Sequence, residues 1–540
     1  MIVDKDELLA KQQSEVDNKL WAMANDLRGN MDASEFKNYI LGLIFYKFLS
    51  DKITQIVDDE LKDDDLTFVT AWKQEEKTKS KLSEQEKKNP TELQKSIIEL
   101  STRTIGYFLN PKYLFGELVN QINKKEGYTE FTVEDLKEGI KALISSTVGE
   151  SSQDDFEDLF EDMDLDSNKL GKGEGERSKL IGKIILNIED LNLDISETNF
   201  DILGHAYEYL IGKFAASAGK KAGEFYTPAQ VSELLARIVT LENKNLKSAY
   251  DPTCGSGSLL LRVRNNVSNP KSIKLYGQEM VSTTYNLARM NMLLHSVDYE
   301  KFDIANDDTL EKPSEKHKGL KFDAVVANPP YSAKWDPTGK EEDSRFNGYD
   351  GKYAPSSKAD YAFVEHMIHH LSDSGTLAVV LPHGVLFRGS SEETIRTKII
   401  KDYNYLDAVI GLPANLFFGT GIPTCILVLK KCRNNDDVVF IDASKYFENG
   451  KNQNYLREED ITRILDAYKE RKDIDKYMHV ATLKEIEEND YNLNIPRYVD
   501  TFEPEPEIDI HQVMDEIKKL EKERDELDKE IEKYLKELGL

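Results

Sequence analysis

Apolar residues recur every three or four positions through most of the first 200 residues. In "FKNYILGLIFYKFLSDKI" (36–53), they do not alternate with polar residues but stand three and four apart. This spacing is the period of an α-helix with one buried face. It predicts a helical amino-terminal domain over residues 1–170, followed by the glycine-broken connector "LGKGEGERSK" (170–179).

From about residue 246 the pattern changes to short apolar runs that alternate with helical segments. Runs such as "KSAYDP", "FDAVVANPP" and "GTLAVVLP" predict a doubly wound, Rossmann-like α/β domain over residues 171–500. Because "TCILVLKK" and "VVFIDAS" are joined by six polar residues, too few for a crossover helix, we expect them to form a terminal antiparallel hairpin. Ligands of such sheets bind beyond the carboxyl ends of the strands.

After about residue 500, a proline-containing acidic linker leads into a heptad pattern. Its seam has one polar interruption and consists of Ile510, Val513, Ile517, Leu520, Arg524, Leu527, Ile531, Tyr534 and Leu538. A narrow apolar seam between charged faces predicts a coiled-coil helix over residues 501–540 that pairs with a partner. The competing interpretation is a helix packed on its own domain.

The composition restricts the function further. The 540 residues are 39% hydrophobic and 31% charged, with a mean hydropathy of -0.55, as expected for a multidomain globular protein. The net charge of -28 disfavours tight, autonomous binding to DNA, because such binding normally requires a basic surface.

Three cysteines, Cys254, Cys425 and Cys432, show no zinc-binding spacing, and we expect no metal site. The chain begins without a signal-peptide or transit pattern, and it contains no apolar run of about 20 residues. We therefore expect a cytoplasmic protein with no membrane role.

Three predicted strand ends carry acidic or glycine-rich groups. "DPTCGSGSLL" (251–260) places Asp251 before a turn at which the backbone can approach a ligand, although Leu260 breaks the GxGxxG dinucleotide pattern. Glu279 ends the next strand, where a carboxylate can accept both ribose hydroxyls. Asp308 follows one strand later, where it would lie near a purine edge if the ligand extends across the sheet. Each could be an ordinary turn or cap, but the series fits an adenosine ligand better.

The segment "FDAVVANPPY" ends a buried strand with Asn328, Pro329, Pro330 and Tyr331. The prolines hold Asn328 extended. An exocyclic amine such as N6 of adenine is a poor nucleophile because its lone pair is delocalised into the ring. Accepting its hydrogens on the Asn328 side chain and the Pro329 carbonyl localises that lone pair, while Tyr331 offers a face for a flipped base. The competing interpretation is a proline turn after a core strand.

In this order, "GEFYTP", "DPTCGSG", "GQE", "NDDTL" and "NPPY" resemble amino-methyltransferases that act on DNA adenine with S-adenosyl-L-methionine. The segments "LWAMANDLRGNMDASEFKNYILGLIFYKFLS" and "AYEYLIGKFAASAGKKAGEFYTP" resemble the methylation (M) subunit of type I restriction-modification systems. The resemblance covers roughly the whole chain. It implies an N6-adenine methyltransferase.

The resemblance also implies roles for individual residues. The methionine end of the donor is expected against Glu224, Phe225, Tyr226, Thr227, Pro228, Ala229, Asp251, Gly255, Ser256, Gly257 and Ser258, with Thr227 near its carboxylate. Glu279 is expected at the ribose and Asp308 at the donor adenine. "LPANLFFGTGIP" (412–423) resembles the segment that faces the target base, so Phe417 or Phe418 is expected opposite Tyr331.

The family's M subunit works with a specificity (S) subunit, typically two M per S, and with a restriction (R) subunit that cleaves double-stranded DNA. The sequence agrees, because no target-recognition domain fits beyond the sheet and no GxxxxGK[ST] motif is present. Three alternatives remain open: methylation of N4 of cytosine, methylation of a protein glutamine, and a catalytically inactive assembly scaffold.

Overall fold

We describe the fold from a computed structural model of the chain. The structure describes residues 19–20, 33–80, 89–191, 207–213, 227–417, 421–450, 453–501 and 510–539. The chain divides into two compact units, Met1–Val499 and Asp500–Leu540. The first unit contains the helical region and the sheet, and the second contains one long helix.

The helices with defined bounds alternate with strands only after residue 240. They are, in chain order, α1 (Ala33–Leu61), α2 (Phe68–Lys79), α3 (Glu92–Ile105), α4 (Phe115–Ile122), α5 (Val133–Ser146), α6 (Gln153–Phe156), α7 (Glu174–Glu189), α8 (Ala229–Thr240), α9 (Ser258–Asn266), α10 (Ser282–Leu294), α11 (Asp360–His370), α12 (Ser391–Thr397), α13 (Glu458–Glu470), α14 (Leu483–Glu488) and α15 (Ile510–Glu537).

The amino-terminal region is helical, as its apolar spacing predicts. The apolar side chains of α1 are almost all buried, and Tyr46 donates a hydrogen bond to the carbonyl of Tyr113 at 2.7 Å. Thr91 begins α3 through a reciprocal capping box with Gln94, which pairs backbone donors that the helix itself leaves free. Among the described helices, none is long and apolar enough to cross a membrane.

Within the described residues, the strands form one nine-stranded sheet and one two-stranded ribbon. Their bounds are β1 (Ser248–Asp251), β2 (Lys274–Glu279), β3 (Phe302–Asn306), β4 (Phe322–Ala327), β5 (Leu371–Pro382), β6 (Leu406–Gly411), β7 (Thr424–Lys430), β8 (Val438–Asp442), β9 (Glu448–Asn449), β10 (Asn454–Tyr455) and β11 (Met478–Ala481). The large sheet has the order β11-β8-β6-β7-β5-β4-β1-β2-β3, and β9 pairs with β10. The doubly wound α/β prediction is confirmed.

The predicted hairpin between the last two apolar runs is wrong. Strand β7 lies between β5 and β6, antiparallel to both, and β8 pairs in parallel with β6. The connection 431–437 passes the start of β6, where Arg433 Nε lies 3.0 Å from Asp407 Oδ1. A short connection excludes a crossover helix, but it can still step over one neighbouring strand. The antiparallel pairing of β8 is with β11.

Both faces of the sheet are covered by apolar side chains. On β4, Ala324 and Val326 belong to the cluster that continues into the amino-terminal helices, whereas Val325 and Ala327 belong to the cluster on the other face. This burial on both sides explains why the strand is a continuous apolar run. It also fixes the end of β4, from which the chain emerges as Asn328.

Candidate active site

The predicted site residues lie at one edge of the sheet. Asp251 ends β1, Glu279 ends β2 and Asn328 directly follows β4. Because β1, β2 and β4 run in parallel, their carboxyl ends share this edge. A cavity of about 210 Å³ opens there, and its lining includes Thr227, Asp251, Gly255, Ser256, Ser258, Glu279, Asp308, Asn328 and Pro330.

The turn after β1 depends on two glycines in the left-handed region. Gly255 has φ 55° and Gly257 has φ 77°, which side chains with a Cβ adopt only with strain. A Cβ on Gly257 would also lie 2.7 Å from Cε of Met292. The carbonyl of Ser256 accepts a hydrogen bond from Asn291 Nδ2 at 2.9 Å, so helix α10 holds this turn in place.

Two buried carboxylates face the cavity. Asp251 is 2% exposed, and burial raises its pKa to about 7, with the charge of Glu279 adding to the effect. Glu279 is 6% exposed and accepts the backbone N–H groups of Gly255 at 3.0 Å and Val281 at 2.9 Å. Burial raises the pKa of Glu279, while these hydrogen bonds act in the opposite direction. The pair makes this wall of the cavity suited to an ammonium group or to sugar hydroxyls.

Asp308 organises the loop after β3. Its Oδ1 accepts the backbone N–H of Leu310 at 2.9 Å and of Glu311 at 3.2 Å. The buried guanidinium of Arg345 donates to the carbonyls of Thr309 and Leu310 at 2.8 and 2.9 Å. The segment that follows Tyr331 therefore supports the loop that carries Asp308.

The amide of Asn328 is held at both ends. Its Nδ2 donates to Thr227 Oγ1 at 3.1 Å, and its Oδ1 accepts from the hydroxyl of Tyr331 at 2.7 Å. Pro329 is buried behind it, and Pro330 lines the cavity. Asn328 therefore lines the cavity while its side-chain carbonyl oxygen faces Tyr331.

Tyr331 is positioned from two sides. Its ring meets Phe417 edge to face, with ring centroids 6.0 Å apart and an interplanar angle of 77°. The next backbone N–H, that of Ser332, donates to the buried Asp360 at 2.9 Å, and Asp360 is paired with Arg388 at 2.6 Å. Because the two rings meet edge to face, no parallel gap separates them.

Two of the remaining predicted residues begin helix α8 without lining the cavity, and four lie outside the described residues. The carbonyl of the buried Pro228 accepts the N–H groups of Val231 and Ser232, and Ala229 begins α8. Glu224, Phe225, Tyr226 and Phe418 lie outside the described residues.

Several lining residues were not foreseen from the sequence. They are Met280, Val281, Ala333, Lys334, Trp335 and Phe363. Most of them directly follow a predicted motif, so extending each motif by a few residues would have found them. Phe363 lies within α11 and shows no such signal, because its spacing is that of an ordinary buried helix face.

Comparison with known families agrees with this geometry. The N-6 DNA Methylase family model matches residues 198–507, and the HsdM N-terminal domain model matches residues 16–188. The chain thus belongs to the N-6 DNA methylase family.

Individual relatives narrow this class. The type I restriction enzyme MpnII methylase subunit of Mycoplasma pneumoniae is 37% identical over 93% of this chain and 92% of its own length. The HindI methylase subunit of Haemophilus influenzae is 30% identical over 71% of this chain and 92% of its own length. The crystal structure of a type I restriction-modification methyltransferase subunit from Streptococcus thermophilus has a TM-score of 0.82 and 42% identity, and it covers 91% of this chain and 100% of that one.

The chain therefore belongs to the methylase subunits of type I restriction-modification systems, and it is an adenine-specific DNA methyltransferase. The resemblance drawn from the sequence motifs is confirmed at this level.

Proposed function

We propose that this chain transfers a methyl group from S-adenosyl-L-methionine to N6 of an adenine that is flipped out of double-stranded DNA. The observation that carries the proposal is the amide of Asn328 at the end of β4, which opens onto a cavity lined by Asp251, Glu279 and Asp308. When bound, the donor supplies an electrophilic methyl group on its sulfonium. The match to an N-6 methylase model favours adenine over N4 of cytosine.

The residues of the cavity fit this donor. The carboxylates of Asp251 and Glu279 are buried but retain lone pairs, because a carboxylate offers about four acceptor sites. Asp251 is suited to the donor's ammonium, Glu279 to its ribose hydroxyls and Asp308 to its adenine. The turn of Gly255, Ser256, Gly257 and Ser258 would approach the methionine end, together with Glu224–Ala229.

Asn328 and Pro329 act on the target base. Oδ1 of Asn328 and the carbonyl of Pro329 would accept the two hydrogens of the exocyclic amine, which localises the lone pair on N6 towards the methyl group. This interaction strengthens as the amine becomes tetrahedral, so it lowers the barrier more than it strengthens binding. Tyr331 would stack on the base once its hydroxyl leaves Asn328, and Phe417 or Phe418 would face it.

We propose that target selection and cleavage reside in separate S and R subunits, with two M subunits per S. The exposed seam of α15 is the surface proposed to bind the S subunit. The net charge of -28 is consistent with a partner that supplies most of the contacts to DNA phosphates.

The experiment compares Asn328→Ala with the wild-type chain, each combined with the S subunit and DNA. We expect donor affinity within a few-fold of wild type and a loss of nearly all single-turnover methyl transfer. Near-normal turnover would remove Asn328 from the reaction. A wild-type chain that binds donor but transfers no methyl group would instead indicate an assembly scaffold.

A further inference from the structure

The side-chain amide of Asn328 lies between two hydroxyl groups. On one side Nδ2 is 3.1 Å from Thr227 Oγ1, and on the other Oδ1 is 2.7 Å from the hydroxyl of Tyr331. Thr227 is far away in sequence and enters the site from the start of α8. It lines the same cavity as Asn328.

A hydroxyl group has one proton to donate and lone pairs that accept, so the hydrogen bonds that link Thr227, Asn328 and Tyr331 can run in two directions. In the first, Tyr331 donates to Oδ1 and Nδ2 donates to Thr227. In the second, the amide is turned over, Thr227 donates to Oδ1 and Nδ2 donates to Tyr331. Only the first presents a carbonyl acceptor on the side of Tyr331, where the target amine would arrive. In the second, an N–H group would face the hydrogens of that amine.

The proton of the Thr227 hydroxyl decides between the two directions. If that proton is donated to an anion in the cavity, Oγ1 can only accept from the amide, and Nδ2 must point towards it. The cavity lining also includes Asp251. Because the Asp251 carboxylate suits the donor's ammonium, the Thr227 hydroxyl remains for the donor's carboxylate. A charged acceptor holds a hydroxyl proton about twice as strongly as a neutral one.

We propose that Thr227 is a positioning residue that couples the carboxylate of the bound donor to the orientation of the Asn328 amide. This inference rests on the proposed function. It stabilises the competent direction, which is the one that the structure shows, because the donor's carboxylate takes the Thr227 proton and leaves Oγ1 only as an acceptor. Thr227 itself touches no reacting atom, and its effect passes through Asn328.

The test uses the full chain with its S subunit and a DNA duplex that carries 2-aminopurine beside the target adenine, whose fluorescence reports base capture. S-adenosylhomocysteine carries the carboxylate, whereas its decarboxylated analogue, 5′-(3-aminopropylthio)-5′-deoxyadenosine, lacks the carboxylate but keeps the ammonium. In the wild type we expect base capture to be about tenfold stronger with S-adenosylhomocysteine. A tenfold ratio corresponds to the free energy of about one hydrogen bond. Thr227→Val should abolish this difference, and Thr227→Ser, which keeps the hydroxyl, should retain it.

Two results would overturn the proposal: a wild type in which both compounds act equally, or a Thr227→Val variant that keeps the full difference. The wild-type comparison can overturn the proposal even if Thr227→Val does not fold, and Thr227→Ala then takes the place of that variant. Methyl transfer by the wild type and its loss in Asn328→Ala are measured in parallel. If these controls succeed while the difference is absent, the coupling fails and the proposed function stands; if the wild type transfers no methyl group, the proposed function itself fails.

Discussion

The carboxyl edge of the sheet and the helix α15 differ in how far their proposed functional side chains are exposed. At the sheet edge, Asp251 and Glu279 are nearly buried and hydrogen-bond to the chain's own backbone. Along α15, the apolar seam is exposed, with Leu520 at 63% and Leu538 at 75%. The proposed donor-binding carboxylates are thus held by the chain's own backbone, whereas the proposed S-subunit surface has exposed apolar side chains.

Removing residues 507–540 should have the largest effect, which is the loss of assembly with the S subunit. We expect the truncated chain to fold and bind donor but to lose stable assembly with the S subunit, and with it site-specific methylation. The reason is that pairing would bury seam residues at about 1.5 to 3 kcal/mol per large side chain. Co-purification and a thermal-shift measurement with donor check this. Full assembly of the truncated chain would exclude the seam as the docking surface, and failure to fold would mean that it packs internally.

A matched pair of leucine substitutions separates the two regions energetically. Leu381 in β5 is fully buried, so Leu381→Ala should destabilise the isolated chain by about 2 to 5 kcal/mol. Leu520→Ala should change the same free energy of unfolding by less than about 0.5 kcal/mol, because its side chain is exposed. Denaturant unfolding of the chain alone gives both values. A large cost for Leu520→Ala would show that the seam is covered by its own chain.

Glu279→Ala tests the ribose assignment at the sheet edge. Loss of hydrogen bonds to a carboxylate should weaken donor binding by about 1 to 3 kcal/mol. Calorimetry gives the affinity, and Glu300→Ala, at a carboxylate outside the cavity lining, is the control that should leave it unchanged. Thermal unfolding without donor checks that the Gly255 turn still folds. An unchanged affinity would refute the assignment.

The raised pKa of Asp251, about 7, predicts the smallest effect. Its ordinary value is 3.8, so between about 4 and 7 the folded chain binds a proton that the unfolded chain does not, and this group's contribution to stability falls as pH rises. An ammonium ligand requires the ionised form. Donor affinity should therefore fall below pH 7, by at most about tenfold per unit, and binding should take up no proton but release one.

Calorimetry in two buffers of different ionisation enthalpy measures that proton. Asp251→Asn should flatten the pH dependence. An affinity that is constant from pH 6 to 8 in the wild type would show that Asp251 does not meet the ammonium.

The site residues at the strand ends could be predicted from the sequence because each one is marked by its immediate neighbours in the chain. Asp251, Glu279 and Asn328 each directly end or follow an apolar run, and parallel strands bring such ends together. The order of the last strands was not predictable, because a connection as short as 431–437 allows either a hairpin or a step over one strand. The contact between Thr227 and Asn328 joins residues 101 positions apart. No spacing rule reveals a contact of this kind.

The most direct test of the central claim is to identify the methylated base. Double-stranded DNA is incubated with S-adenosyl-L-methionine, the S subunit and either the wild type or Asn328→Ala, then digested to nucleosides and analysed by mass spectrometry. The account predicts N6-methyladenine with the wild type and a background level with Asn328→Ala. N4-methylcytosine with the wild type, or undiminished N6-methyladenine with Asn328→Ala, would contradict it.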